Sequence, residues 1–294
     1  VTPLDWIVTV FVFVFGGAVG SFLNVCIYRL PRALSIQEPA RSFCPACGHG
    51  IAWYDNLPVV SWLRLRGRCR HCGGRISWRY PLVELVTAVV FGVTWLKLRY
   101  VDGVGAGPGV LMLLLCALLI VAVATDFEFR IIPEEISFFG LAGGLLASAL
   151  VPELHVGGMP WHTLESLTGV VWLDGLIGGL IGAVASGGLV TVAALAGYWL
   201  FKKEAMGGGD VRLMALVGSF LGWKIGLLAF FIAPFVGLVY GLAMLFSTGD
   251  HYMPYGPWLA LATWVCMLAR GPLTRYVDDY CGILRDLWRL VFGG

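Results

Sequence analysis

Charge is scarce in this chain. Only 13% of the 294 residues are Asp, Glu, Lys or Arg, 59% are hydrophobic, and the mean hydropathy is +0.83. A soluble globular domain carries roughly twice that share of charge, so a water-soluble fold is excluded. Acidic residues are nearly missing from one stretch, and lysine is missing from it altogether. Between Tyr28 and Pro81 nine arginines face only Glu38 and Asp55. No basic residue precedes the first apolar run, Trp6 to Tyr28, and no clear small-x-small cleavage site follows it. Those absences, and the length of the run, argue against a removable signal peptide and for a permanent span. Long internal repeats and low-complexity tracts are also absent.

What remains is a series of long apolar runs. Eight have roughly the length of a membrane crossing: 6–28, 82–100, 109–125, 135–151, 173–201, 211–223, 225–247 and 257–269. The sixth and eighth are short. The expected fold is an all-α polytopic membrane protein of about eight transmembrane helices with one small polar loop domain. The expected divisions are a first span over 1–28, a cytoplasmic loop domain over 29–81, a seven-helix core over 82–270 and a tail over 271–294. The tail has the mixed composition of an amphipathic interfacial helix. Glycines recur at G-x-x-x-G spacing within the runs, as in Gly16/Gly20, Gly140/Gly144, Gly178/Gly182 and Gly218/Gly222. That spacing predicts close intramolecular helix packing.

Two aspartates sit at the edges of these runs. Asp126 ends one, and Asp210 follows the triple glycine Gly207-Gly208-Gly209. A carboxylate beside hydrocarbon is costly to place and is a functional candidate by default. Asp210 alone reads as a helix N-cap and Asp126 alone as an interfacial residue. Counting spans, however, puts both on the face that carries the arginine-rich loop, and the positive-inside rule makes that face cytoplasmic.

The loop holds Cys44-Pro-Ala-Cys47 and Cys69-Arg-His-Cys72, separated by 21 residues. Paired C-x2-C hairpins at about this spacing offer four thiolates to one tetrahedral Zn²⁺. Gly48, Gly73 and Gly74 suit the knuckle turns, and a metal would supply folding energy that a loop poor in aliphatics lacks. Two disulfides are the competing reading, disfavoured in a reducing compartment; a redox role for one pair is another. Arginine around a zinc ribbon can also mean nucleic acid. Membrane flanks make anionic lipid headgroups the simpler partner, and no nucleic acid is expected.

Taken together, these motifs resemble a family. Met206-Gly-Gly-Gly-Asp210-Val-Arg-Leu is similar to the G-x-G-D signature of intramembrane aspartyl proteases, in the form carried by bacterial type IV prepilin peptidases, or leader peptidase/N-methyltransferases. Gly20-Ser-Phe-Leu-Asn-Val-Cys-Ile-Tyr-Arg-Leu-Pro31, Asp55-Asn-Leu-Pro-Val-Val-Ser-Trp62, Arg79-Tyr-Pro-Leu-Val-Glu84, Thr125-Asp126 with Ile132-Pro133, and Tyr255-Gly-Pro257 also resemble that family. Departures are modest, such as Met253 where isoleucine is usual and a long outer segment over 152–172.

The resemblance implies an inner-membrane enzyme with its active site facing the cytoplasm. It would cleave the short basic leader of type IV prepilins and type II secretion pseudopilins after a glycine. It would then methylate the new amino terminus with S-adenosylmethionine. Asp126 and Asp210 are expected to form the catalytic pair. Gly207, Gly208, Gly209, Glu128 and Glu134, with Glu135 and Glu204 nearby, are expected to meet the substrate. No Rossmann-type G-x-G-x-x-G follows a strand, so the methyl-donor site must be irregular; Asn24, Arg29 and Glu84 are its candidates. Leader cleavage without methylation, a proton- or cation-coupled transporter using the same aspartates, and a non-catalytic zinc-ribbon scaffold are the alternative readings.

Overall fold

The computed structural model describes residues 2–38, 42–155, 167–202, 206–248 and 254–269, with isolated positions between 271 and 279. Glu204 and nearly all of the tail lie outside the described residues. The helices are α1 (Pro3–Arg29), α2 (Val60–Arg64), α3 (Arg79–Leu96), α4 (Ala106–Phe129), α5 (Glu134–Leu150), α6 (Val171–Phe201), α7 (Gly208–Thr248) and α8 (Gly256–Leu268). Among the described residues there is no strand, only the bridges Phe43–Gly50 and Arg68–Arg75. The runs 3–32, 79–101, 106–129, 171–200 and 208–242 are each long and apolar enough to cross a membrane. They are apolar on every side: Leu4, Phe11, Val184, Trp199, Phe235 and Val239 all point outward. Such helices suit a hydrocarbon surround, where only internally hydrogen-bonded backbone is stable.

The chain divides into two compact units, 1–136 and 137–294. In the first, α1 packs along α3, and both meet α4. Helix α1 is opened by a capping box between Thr2 and Asp5. Its glycines lie where predicted: a Cβ on Gly16 would stand 2.9 Å from the Phe91 Cβ, and one on Gly20 would stand 2.7 Å from the Glu84 Cα. Lipid tails are as apolar as leucine, so helices here associate by such close packing rather than by escape from water.

In the second unit α6 packs along α7, and α7 meets α8. Backbones touch at Gly182 and Gly218, where a Cβ on either residue would collide with the other's carbonyl. Helix α7 is not one rod. Gly222, at φ 75° and ψ 172°, breaks it. A Cβ on Gly226 would stand 3.8 Å from the Gly218 Cα, although eight residues of straight helix span about 12 Å. The chain therefore doubles back at Gly222 into two antiparallel limbs, which correspond to the sixth and seventh apolar segments. Ser148 and His155 meet the Ser219 carbonyl at this bend, at 2.9 Å and 3.0 Å.

Candidate active site and metal-ligand cluster

Asp126 lies in the last turn of α4 and Asp210 in the first turn of α7, only 8% and 9% exposed. Helix α4 stops because Arg130 turns left-handed at φ 57°, its N–H bonding the Asp126 carbonyl at 2.9 Å. That cap holds Asp126 in the last turn of the helix. Asp210 closes a tight turn of its own: its carboxylate accepts from the Gly207 N–H at 3.2 Å, and its N–H donates to the Gly207 carbonyl at 3.1 Å. A Cβ added to Gly208 would meet nothing within 4 Å, and one on Gly207 would meet only the adjoining turn. Gly207 and Gly208 therefore present bare backbone to open space.

Tyr255 belongs to the same unit as Asp210. Its hydroxyl donates to the Phe230 carbonyl at 3.3 Å. Burial, and then the negative charge of Asp210, push its pKa up to about 12, so it stays a proton donor at neutral pH. Reading the sequence places Tyr255 in a motif but assigns it no site; the Tyr-Gly-Pro triplet before the last helix is the signal that marks it.

Of the predicted substrate contacts, Glu128 is ion-paired with Arg79 at the start of α3. The Arg79 guanidinium also lies 4.9 Å from the Tyr80 ring centre, with its Nε buried and unpartnered. Glu134 and Glu135 are exposed in the first turn of α5.

The three methyl-donor candidates are all buried. Asn24 Nδ2 donates to the carbonyls of Gly20 (3.3 Å) and Tyr80 (3.1 Å), tying α1 to α3, while its Oδ1 is buried without a partner. Glu84 lies one turn beyond Tyr80, beneath Gly20, and accepts from the Val59 N–H at 2.7 Å. Arg29 donates to the carbonyls of Ser35 (3.0 Å) and Ile36 (2.8 Å), pinning the chain as it leaves α1.

The four cysteines converge: one sulfur from each of Cys44, Cys47, Cys69 and Cys72 lies within 4.8 Å of the others. The Cys44 and Cys72 sulfurs are 3.9 Å apart, close to the edge of about 3.8 Å that four Zn–S bonds of about 2.3 Å would set. The two knuckles repeat one another 25 positions apart. Cys44 N–H bonds His49 O as Cys69 N–H bonds Gly74 O; Gly48 N–H bonds Cys44 O as Gly73 N–H bonds Cys69 O; Ile51 N–H bonds Ser42 O as Ile76 N–H bonds Gly67 O. Gly48 and Gly73 take φ 69° and 68°, which lets each turn fold under its sulfurs. Backbone N–H groups of Cys72 and His71 hold the Cys69 thiol down to about 7.

Two family models match this chain. The bacterial peptidase A24 N-terminal domain covers residues 14–98, and the type IV leader peptidase family covers 112–242. A prepilin leader peptidase/N-methyltransferase of Aeromonas salmonicida is 32% identical over 93% of this chain and 94% of its own. Its namesake in Pseudomonas aeruginosa is 33% identical over 91% and 92%. That of Myxococcus xanthus is 38% identical over 82% of this chain and 64% of its own. The chain belongs to the type IV leader peptidase family. It is a membrane protein, as that family is, and the residues that carry the resemblance lie within the two matched regions save Tyr255-Gly-Pro257. No solved structure matches it.

Proposed function

We propose that this protein is a prepilin leader peptidase and N-methyltransferase of the bacterial inner membrane, acting on prepilins and pseudopilins at the cytoplasmic face. One observation carries the reading: two buried carboxylates, Asp126 and Asp210, stand at helix ends within the matched family region, the second just after the exposed backbone of Gly207 and Gly208. Carboxylates buried at the ends of apolar helices are expensive unless chemistry needs them.

In this reading the two aspartates work as a pair sharing one proton. The ionised member takes a proton from water as the oxygen attacks the scissile carbonyl. The protonated member hydrogen-bonds that carbonyl and then helps protonate the leaving amine. The substrate helix must fray at its cytoplasmic end, because a helical backbone hides its amides. Gly207, Gly208 and Gly209 offer that extended strand a surface without side chains. Glu128 and Glu134, with Glu135, meet the basic leader.

Asn24, Arg29 and Glu84 are assigned to the methyl donor. The unpartnered Asn24 Oδ1 and the buried Glu84 carboxylate suit a polar cofactor with an ammonium group. S-adenosylmethionine, when bound, supplies the methyl group. Cys44, Cys47, Cys69 and Cys72 are assigned to a structural Zn²⁺, which the sulfur spacing fits. The surrounding arginines face anionic lipid headgroups rather than nucleic acid.

Incubation of purified membranes with a peptide carrying a basic leader, Gly, Phe and an apolar run tests this directly. Cleavage after Gly is expected, with methyl label from S-adenosylmethionine on the new Phe terminus. Asp126→Asn and Asp210→Asn should each lower turnover about 10²–10⁴-fold while leaving the protein inserted. Near-normal cleavage by both variants overturns the pair. Metal analysis should find one zinc per chain, and chelation should open residues 42–76 to protease.

A further inference from the structure

Val59 is out of place. It sits at φ 59°, ψ −46°, a region that β-branched residues almost never enter. The Val60 N–H bonds the Pro58 carbonyl at 2.5 Å, so Pro58-Val59-Val60 is a γ-turn of the strained, positive-φ hand. Glycine would take this position at little cost, yet the chain carries valine. Such a turn persists only where its surroundings over-determine it.

Three contacts do so. The buried Glu84 carboxylate, on α3, accepts the Val59 N–H at 2.7 Å, the donor that this backbone exposes. Pro58 rests on α1, 3.4 Å from where Gly17 would carry a Cβ. Buried Ser61 closes the base, accepting from the Leu57 N–H at 3.0 Å and donating to the Tyr54 carbonyl at 3.1 Å. From the turn the connection runs on through α2. Trp62 Nε1 donates to the Ile76 carbonyl at 3.1 Å, and its ring covers Gly67, at the root of the second cysteine knuckle.

We infer that Glu84 is a positioning residue: it latches the strained 58–60 turn, and through α2 the cysteine-knuckle loop, onto the first two membrane helices. The carboxylate–amide contact, beside the packing of Pro58 on α1, thus registers the loop against α1 and α3. Glu84 then acts on the loop through Val59, whatever else it touches.

Hydrogen exchange of the full-length protein in lipid nanodiscs tests the latch, read on peptides covering residues 53–66. Glu84→Ala should raise exchange there about tenfold. Glu84→Gln, whose carbonyl still accepts, should stay within about twofold of the parent. Glu84→Ala with Val59→Gly should recover most of the protection, because glycine holds the turn without strain. Val59→Pro removes the N–H and, with its φ fixed at about −65°, also breaks the positive-φ turn, so it should raise exchange at least as much as Glu84→Ala without altering a membrane helix. Unchanged exchange in Val59→Pro, or a folded Glu84→Ala that glycine fails to rescue, overturns the proposal. A second readout rests on the function proposed above: Val59→Pro should lower the ratio of methyl transfer to leader cleavage. If exchange behaves as expected and the ratio does not move, the latch stands and the assignment of methyl transfer to this region falls.

Discussion

Two sharp turns of the backbone, one in each unit, are held differently. In the first unit the break is at Val59, a residue ill-suited to its conformation, and a buried carboxylate grips its N–H. In the second it is at Gly222, which takes φ 75° without steric penalty. There the difficulty is the backbone carbonyl left behind where the first limb of α7 ends. Ser219 O is met by Ser148 Oγ and by His155 Nε2, each near 3 Å. Where glycine is present, polar side chains only satisfy orphaned hydrogen-bonding groups. Where it is absent, they must also hold the geometry.

The largest effects should come from the glycine contacts of the second unit. Gly182→Ala drives a methyl into the Gly218 backbone, which cannot yield as a flexible side chain would. We expect little folded protein by detergent-extraction yield and fluorescence-detected size exclusion. Gly222→Ala should lower stability by about 1–3 kcal/mol. Val59→Ala, a change between two non-glycine residues, should cost less than about 1 kcal/mol. Equal losses at the two breaks would erase the contrast between them.

Next in size is the pH response of the bend. Because Ser219 O can only accept, His155 Nε2 carries the proton, and the bare Nδ1 is buried without a partner. A second proton would find no acceptor there, and burial lowers the His155 pKa from 6.5 to about 4. As pH falls below about 6.5 the unfolded chain binds a proton that the native bend refuses, so stability is lost progressively down to about 4 and is unaffected above that window. His155→Gln, whose amide can still donate, should flatten this part of the pH–melting curve relative to the parent. A parallel curve for the variant would remove His155 from the account of the bend.

The smallest effect concerns two ion pairs of the first unit. Arg70 grips Asp55 through two contacts of 2.6 Å. Arg79 meets Glu128 through one nitrogen, with its Nε left unpartnered. Exposed pairs are worth about 0–1 kcal/mol, so Arg79→Gln should lower the KM for a basic-leader peptide only about two- to threefold by freeing Glu128. Arg70→Gln should leave that KM alone. A rise in KM on Arg79→Gln would take Glu128 out of the leader site.

Much of this was legible beforehand. The Cys44/Cys47 and Cys69/Cys72 spacing announced a convergent cluster, because ligand geometry is local and repeats within each knuckle. Gly16, Gly20 and Gly182 announced close helix contacts through their spacing. Asp126 and Asp210 stood out because charge at the end of an apolar run is rare. The break at Gly222 was legible only as a gap between two apolar segments; its glycine read as one more packing position. Val59 carried no signal at all, since nothing in Leu-Pro-Val-Val marks a positive φ. The Ser148, His155 and Ser219 contact was equally silent, joining residues up to 71 positions apart.

The sequence by itself determined the all-helical membrane character, the four-cysteine knuckles and the two aspartates at helix ends, because run length, ligand spacing and residue type act over a few neighbouring positions. Tertiary structure alone decided that Glu84 grips Val59, that α7 doubles back, and that His155 stays neutral. Those outcomes depend on which distant groups are brought within hydrogen-bonding reach, and no local pattern of residues encodes that.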